Sequence, residues 1–194
     1  MSKKLAVGLG SLQILAFALL EGSMLTLGAM VAPALFKTIS SRDLAGKTFG
    51  NILGIWLWFA VGCTVILLVC NFFDWRLSRI NNLWLTVRIA GPVLMLGLLV
   101  AFGFILGRMQ ELQNALPKPL DDYAVTDTPR LDIDNLHKMA SNLLSAVLFI
   151  GLVWFGVSAV AYYKLNSGKA KIASSAAPPV QRDPDPELAR PSLN

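Results

Sequence analysis

Four long apolar runs, near 10–34, 51–71, 87–107 and 140–163, constrain this chain more than any other feature. Each has the length of a membrane span, which needs roughly 20 apolar residues to cross the hydrocarbon. A backbone inside lipid has no water to bond with, so such runs are expected to be helices. Composition points the same way. Only 15% of the 194 residues are charged and the mean hydropathy is +0.58, whereas soluble domains carry about 25% charged residues. Four such runs exceed what one soluble core of this size would bury. The expected fold is all-α, an integral membrane four-helix bundle over residues 1–165. A disordered cytoplasmic tail is expected over 166–194, because the chain beyond Tyr163 carries five prolines and no apolar periodicity.

The N-terminus differs from a secretory signal. Lys3 and Lys4 precede the first apolar run, but that run continues to Phe36, beyond the about 7–15 residues of a signal's apolar region. The nearest small-x-small triplet, Ala32-Pro33-Ala34, comes too late for cleavage. An uncleaved first span is the reading. Cys63 and Cys70 lie inside the second run, where they form no disulfide framework and act as small apolar side chains. With a cytoplasmic N-terminus, ten Lys and Arg residues fall inside and seven outside. Without the distant Arg182 and Arg190 the margin is eight against seven. Both termini are therefore placed in the cytoplasm, in a bacterial inner (plasma) membrane.

The connections differ in character. TISSRDLAGKTFGN is short and amphipathic, with Ser40 and Ser41 as N-caps for a small interfacial helix. NFFDWRLSRINNLW sets Trp75 and Trp84 at headgroup level. The third span is expected to continue through GRMQELQNAL until Pro117. Thr128-Pro129 reads as an N-cap followed by proline at the first helical position, opening the helix that becomes span four. The acidic segment between them is long enough for loops to be functional, but it lacks the alternating ligand pattern of a calcium loop.

Two features inside the first span stand out. Proline at 33 removes a backbone hydrogen bond and kinks or ends the helix. Gly22/Thr26 and Gly28/Ala32 are small-xxx-small pairs that let a second helix come close. Packing around a kink is the plain account; a hinge that opens a passage is the sharper one. The second feature is Glu21, near the middle of a run with no other charge. An ionised acid at that depth costs about 2.5–3.5 kcal/mol on insertion scales. A neutral carboxyl, a cation partner or a wet cavity would each reduce this cost. Arg88, Arg108 and His137 belong to span ends, whereas Thr64, Asn142 and Ser145 lie nearer in depth. Glu21 is expected to face the bundle interior, hydrogen-bonded to these neutral groups. Such an acid is either a polar clasp between helices or a proton or cation site.

His137 is the only histidine. It is a weak metal or haem candidate, since one imidazole cannot make a bis-His site without a second chain; no metal or other cofactor is expected. No nucleophile–base pair, phosphate-cradling glycine loop, H-E-x-x-H or C-x-x-C is present, so no enzyme is expected. The net charge of +5 suits lipid headgroups and cytoplasmic flanks rather than nucleic acid. Pro33 and Pro92 lie at opposite ends of their spans and do not mark an inverted repeat.

The stretch GSMLTLGAMVAPALFKTISSRDLAGKTFG resembles the opening of the transmembrane-protein-205-like family, a four-span membrane group of unknown function. The resemblance rests on a Val-Ala-Pro-x-Leu-Phe element, here Val31, Ala32, Pro33, Leu35 and Phe36. A Leu-His pair, Leu136 and His137, leads into the last span and is followed by Ser141, Asn142 and Ser145. It covers about residues 10 to 163 and implies a four-helix membrane fold without an accepted chemistry. Three functions are carried forward. The first is a non-enzymatic bundle that assists solute or ion transport or tolerance, as a homo-oligomer. The second is an accessory or scaffold subunit of a larger membrane complex. The third is a metal- or haem-handling protein using His137.

Overall fold

The computed structural model describes residues 3–78, 82–124 and 126–175. The backbone is helical almost throughout, and no strand occurs among the described residues. Helix α1 (Lys3–Thr26) passes through a π-helical turn (Leu27–Val31) into α2 (Ala32–Thr38). Then come α3 (Arg42–Ser78), α4 (Asn82–Ala115), a 3-10 turn (Leu120–Asp122) and α5 (Thr128–Ser175). Among the described residues, four helical segments are long and apolar enough to cross a membrane: Val7–Thr38, Arg42–Asp74, Thr86–Ala115 and Thr128–Val160. At about 1.5 Å per residue, each outruns a hydrocarbon layer of about 30 Å. The protein is an all-α four-helix membrane bundle. Two compact units divide it, Met1–Ser158 and Ala159–Asn194.

Helix ends follow local chemistry. Ser41 caps α3 by accepting the Leu44 N–H at 3.3 Å, and it donates to the Asp121 carboxylate at 3.0 Å. That carboxylate also accepts the Asp43 N–H at 3.4 Å, which places an anion at the positive end of α3. Lys47 pairs with Asp43 one turn on, at 2.8 Å. The segment expected as a separate interfacial helix is instead the start of α3, because no proline interrupts residues 42–78. Pro33 does not end its helix either. The Ala32 N–H reaches back to the Leu27 carbonyl in a widened turn, and helix resumes with Pro33 in its first turn, where no N–H is needed. At the far end, α5 reaches Ser175, so residues 166–175, expected as tail, are helical. Their lysines and alanines are good helix formers and no proline lies between Pro129 and Pro178. Residues 176–194, Arg79 and the Trp75 and Trp84 side chains lie outside the described set.

Helix α3 packs along both α1 and α4, and α5 reaches α1 and α4 through side chains. The core is one cluster that includes Leu20, Met24, Trp56, Leu67, Met95, Leu99, Phe102, Val147 and Trp154. Trp56 meets Phe102 edge-on at 6.5 Å, and its Nε1–H donates to Ser23 Oγ at 2.9 Å.

Candidate functional site

The site begins with a missing donor. Pro92 sits fully buried inside α4 and has no N–H for the carbonyl four residues back, that of Arg88. The Trp154 indole on α5 supplies the replacement, its Nε1–H donating to Arg88 O at 3.0 Å. Gly91 makes room for this approach. A Cβ there would stand 2.6 Å from Trp154 Cγ and 3.0 Å from its Cβ. Phe17 of α1 closes the layer, tilted 47° to the indole at a centroid distance of 6.0 Å. It also stacks on Phe155 at 4.6 Å.

One turn along α4 lies an ionic layer. Arg88 Nη2 bonds Asp74 Oδ2 of α3 at 2.8 Å and Gln13 Oε1 of α1 at 3.4 Å. The two charged side chains are 17% and 21% exposed, so this pair is shielded rather than solvated. Asn71, almost fully buried, donates to Leu67 O at 2.8 Å. Polar capacity is nevertheless left over. Gln13 Nε2, Arg88 Nε, Asn71 Oδ1 and Ser158 Oγ are buried with no hydrogen-bond partner among the described residues.

On the other side of the aromatic layer lies Glu21, 5% exposed. Both carboxyl oxygens are buried without a partner among the described residues. The carboxyl rests on Gly151 of α5, where a Cβ would overlap Oε1 and lie 3.3 Å from Met95 Cε. Three helices thus run in register. Gln13, Phe17 and Glu21 follow one another at four-residue steps on α1. Arg88, Gly91 and Met95 follow at steps of three and four on α4, and Trp154 then Gly151 at a step of three on the antiparallel α5. Spacings of three and four residues keep each set on one helix face. The order along the bundle is ion pair, aromatic layer, carboxyl. Eight residues at 1.5 Å separate Gln13 from Glu21 by about 12 Å.

The structure does not bring the three polar residues expected around Glu21 together. Thr64 is fully buried but donates to Ala60 O of its own helix at 2.8 Å. Asn142 and Ser145 are exposed, and Ser145 bonds back to Ser141 O at 2.9 Å. The reason is helical phase. Nine residues separate Asn142 from Gly151, two and a half turns at 3.6 residues per turn, so Asn142 faces away from α1. Gly22, Thr26, Gly28 and Pro33 are exposed and Ala32 is half-buried, so this stripe of small residues lies open. Thr26 Oγ1 donates to Gly22 O at 2.7 Å. Val31 and Leu35 are half-buried, and Phe36 is exposed with its ring edge-on to Phe49 at 6.4 Å. Leu136 lines a shallow groove with Arg108, Leu112 and Met139, and His137 is exposed. Among the described residues no three His, Cys, Asp or Glu side chains gather as metal ligands would.

Sequence reasoning missed Gly91, Gly151, Trp154 and the Asp74–Arg88 pair as site elements. The signal present was an arginine four residues before a buried proline with glycine between them, Arg88-x-x-Gly91-Pro92, and a Gly151-x-x-Trp154 spacing on the last span.

No curated protein and no solved structure matches the chain. A family model does match, over residues 15–115, which contain Glu21, Asp74, Arg88 and Pro92 but not Gln13, Gly151 or Trp154. Since that match spans just over half of the 194 residues, the chain belongs to the family described as a domain of unknown function, DUF4149.

Proposed function

We propose that this protein is a non-enzymatic four-span bundle that assists the movement of a small solute or ion across a membrane, or tolerance of it. The observation that carries the reading is the Glu21 carboxyl, buried in the bundle with neither oxygen bonded to any described residue. Burying a polar group without a partner costs about 1–3 kcal/mol on protein scales. A clasp between helices would use that carboxyl as a hydrogen-bond acceptor; here it rests on a glycine. An acid kept inside a membrane without a structural bond is best read as a binding group. The excess of Lys and Arg favours both termini in the cytoplasm of a bacterial inner membrane. The Val31–Phe36 and Leu136–His137 elements favour the transmembrane-protein-205-like group as the nearer relationship. The open stripe at Gly22, Thr26 and Gly28 suits a homo-oligomer.

The test is electrophysiology on a solid-supported membrane carrying proteoliposomes, challenged in turn by jumps in pH, sodium, potassium and small organic cations. A transient in the wild type that Glu21→Gln abolishes is the expected result. Equal transients in both proteins, or none in either, would contradict the reading.

A further inference from the structure

We propose that Glu21 is a proton-binding site reached from the end of the bundle that carries Asp74 and Arg88, and that the Trp154 indole is its gate. The proposal rests on the reading of Glu21 as the working carboxyl and adds the ligand, the side of access and the moving part.

The ligand follows from what surrounds the carboxyl. A hard metal ion needs about six oxygen ligands, but Glu21 faces Gly151 and the methyl of Met95. A proton needs one oxygen. No other ionisable side chain lies between residues 7 and 36 of the first spanning segment, on α4 between 89 and 107, or on α5 between 139 and 158. Helix α3 contributes Cys63 and Cys70, both buried, and then Asp74. In the step itself, a hydronium ion reaching the carboxyl through the ionic layer breaks one of its O–H bonds and gives that proton to a carboxylate oxygen, leaving water and a neutral acid. Release transfers the proton back to a water molecule, re-forming hydronium and the carboxylate.

The side of access follows from the sequence of layers. The unbonded Gln13 Nε2 and Arg88 Nε mark the ionic layer as a place where water would find donors, and water needs about two to four such partners to settle. Between that layer and the carboxyl stand Phe17 and Trp154. The opposite direction is closed by more of the core, including Met24 and Trp56, which is tied to Ser23.

The gate follows from the latch. Trp154 is held by one hydrogen bond to a carbonyl that Pro92 leaves without its helical donor. That single bond closes or frees the indole without unwinding a helix. Once it breaks, the ring is free to turn off the flat Gly91 surface and join the ionic layer to Glu21.

The experiment is infrared spectroscopy of the full chain in lipid, following the protonated-carboxyl C=O stretch after transfer to deuterated buffer. Wild type is expected to show a band that Glu21→Gln removes and that shifts slowly as deuterium replaces the proton. Trp154→Phe deletes the latch donor and should speed the shift about tenfold, the factor for losing one hydrogen bond. Gly91→Ala, which pushes the indole off its seat, should speed it likewise and serves if Trp154→Phe fails to fold. A band untouched by Glu21→Gln overturns the proton site, and equal exchange in every folded variant overturns the gate. These outcomes separate from the transport reading. Cation transients lost in Glu21→Gln with exchange indifferent to Trp154 would leave that reading standing and remove this one. Accelerated exchange without any transient would do the reverse.

Discussion

Pro92 removes one hydrogen-bond donor from α4, and Trp154 supplies another from α5. This residue-scale exchange makes a firm prediction. Pro92→Ala gives Arg88 O its helical partner, so the indole bond becomes redundant. In detergent-solubilised protein unfolded by denaturant, Trp154→Phe should therefore cost about 1 kcal/mol less in the Pro92→Ala background than in the wild type. Equal costs in both backgrounds would mean that the 3.0 Å contact does not stand in for the helical bond that Pro92 removes. The two contact glycines should also differ. At Gly91 an added methyl meets the root of a tryptophan, near its Cβ and Cγ, and overpacking of that kind costs about 1–3 kcal/mol. At Gly151 it meets the far end of a flexible glutamate, which swings aside at less cost. Gly91→Ala should lower the unfolding midpoint more than Gly151→Ala in the same assay; the reverse order would contradict this packing.

Helix ends were legible as elements because local chemistry writes them. Pro117 lies just beyond the end of α4, Thr128 opens α5, and Ser41 caps α3. Register between helices was not legible, since it depends on which side chains interlock across the bundle. Glu21 was placed at depth by its position in the first run, yet its neighbours depended on the phase of α5, and no residue near Asn142 or Ser145 announces that phase. The π turn before Pro33 was likewise hidden: a proline signals a disturbed helix, while the surrounding helix decides how the disturbance is absorbed. One contact between elements is open to direct test. The Asp121 carboxylate ties the connection after α4 to the start of α3 through Ser41 and the Asp43 N–H. Ser41→Ala removes the cap and one of the two bonds of the tie and should cost about 1 kcal/mol. Asp121→Ala should leave the cap in place while hastening protease cleavage between Lys118 and Asp127. Cleavage at the wild-type rate would show that the tie does not hold the connection down.

At the scale of the molecule, little of each spanning helix is covered by the chain itself. Buried shares of the most apolar windows are 28%, 28%, 28% and 17% in chain order, so lipid or another protein must cover the remainder. Exposed Trp58, Phe104 and Phe149 are at home there, and α5 is the least enclosed. Against that apolar exterior, the ordered stack of ion pair, aromatic layer and carboxyl is the one arrangement that reads as more than packing. It depends throughout on Glu21 being sealed inside four membrane-crossing helices. The direct test replaces Cys63 and Cys70 by alanine and compares Glu21→Cys with Lys118→Cys, using a charged thiol reagent applied from both sides of the membrane. Position 118, exposed in the connection after α4, should label fully while position 21 stays unreacted. Labelling of position 21 at the rate of position 118 would contradict the account.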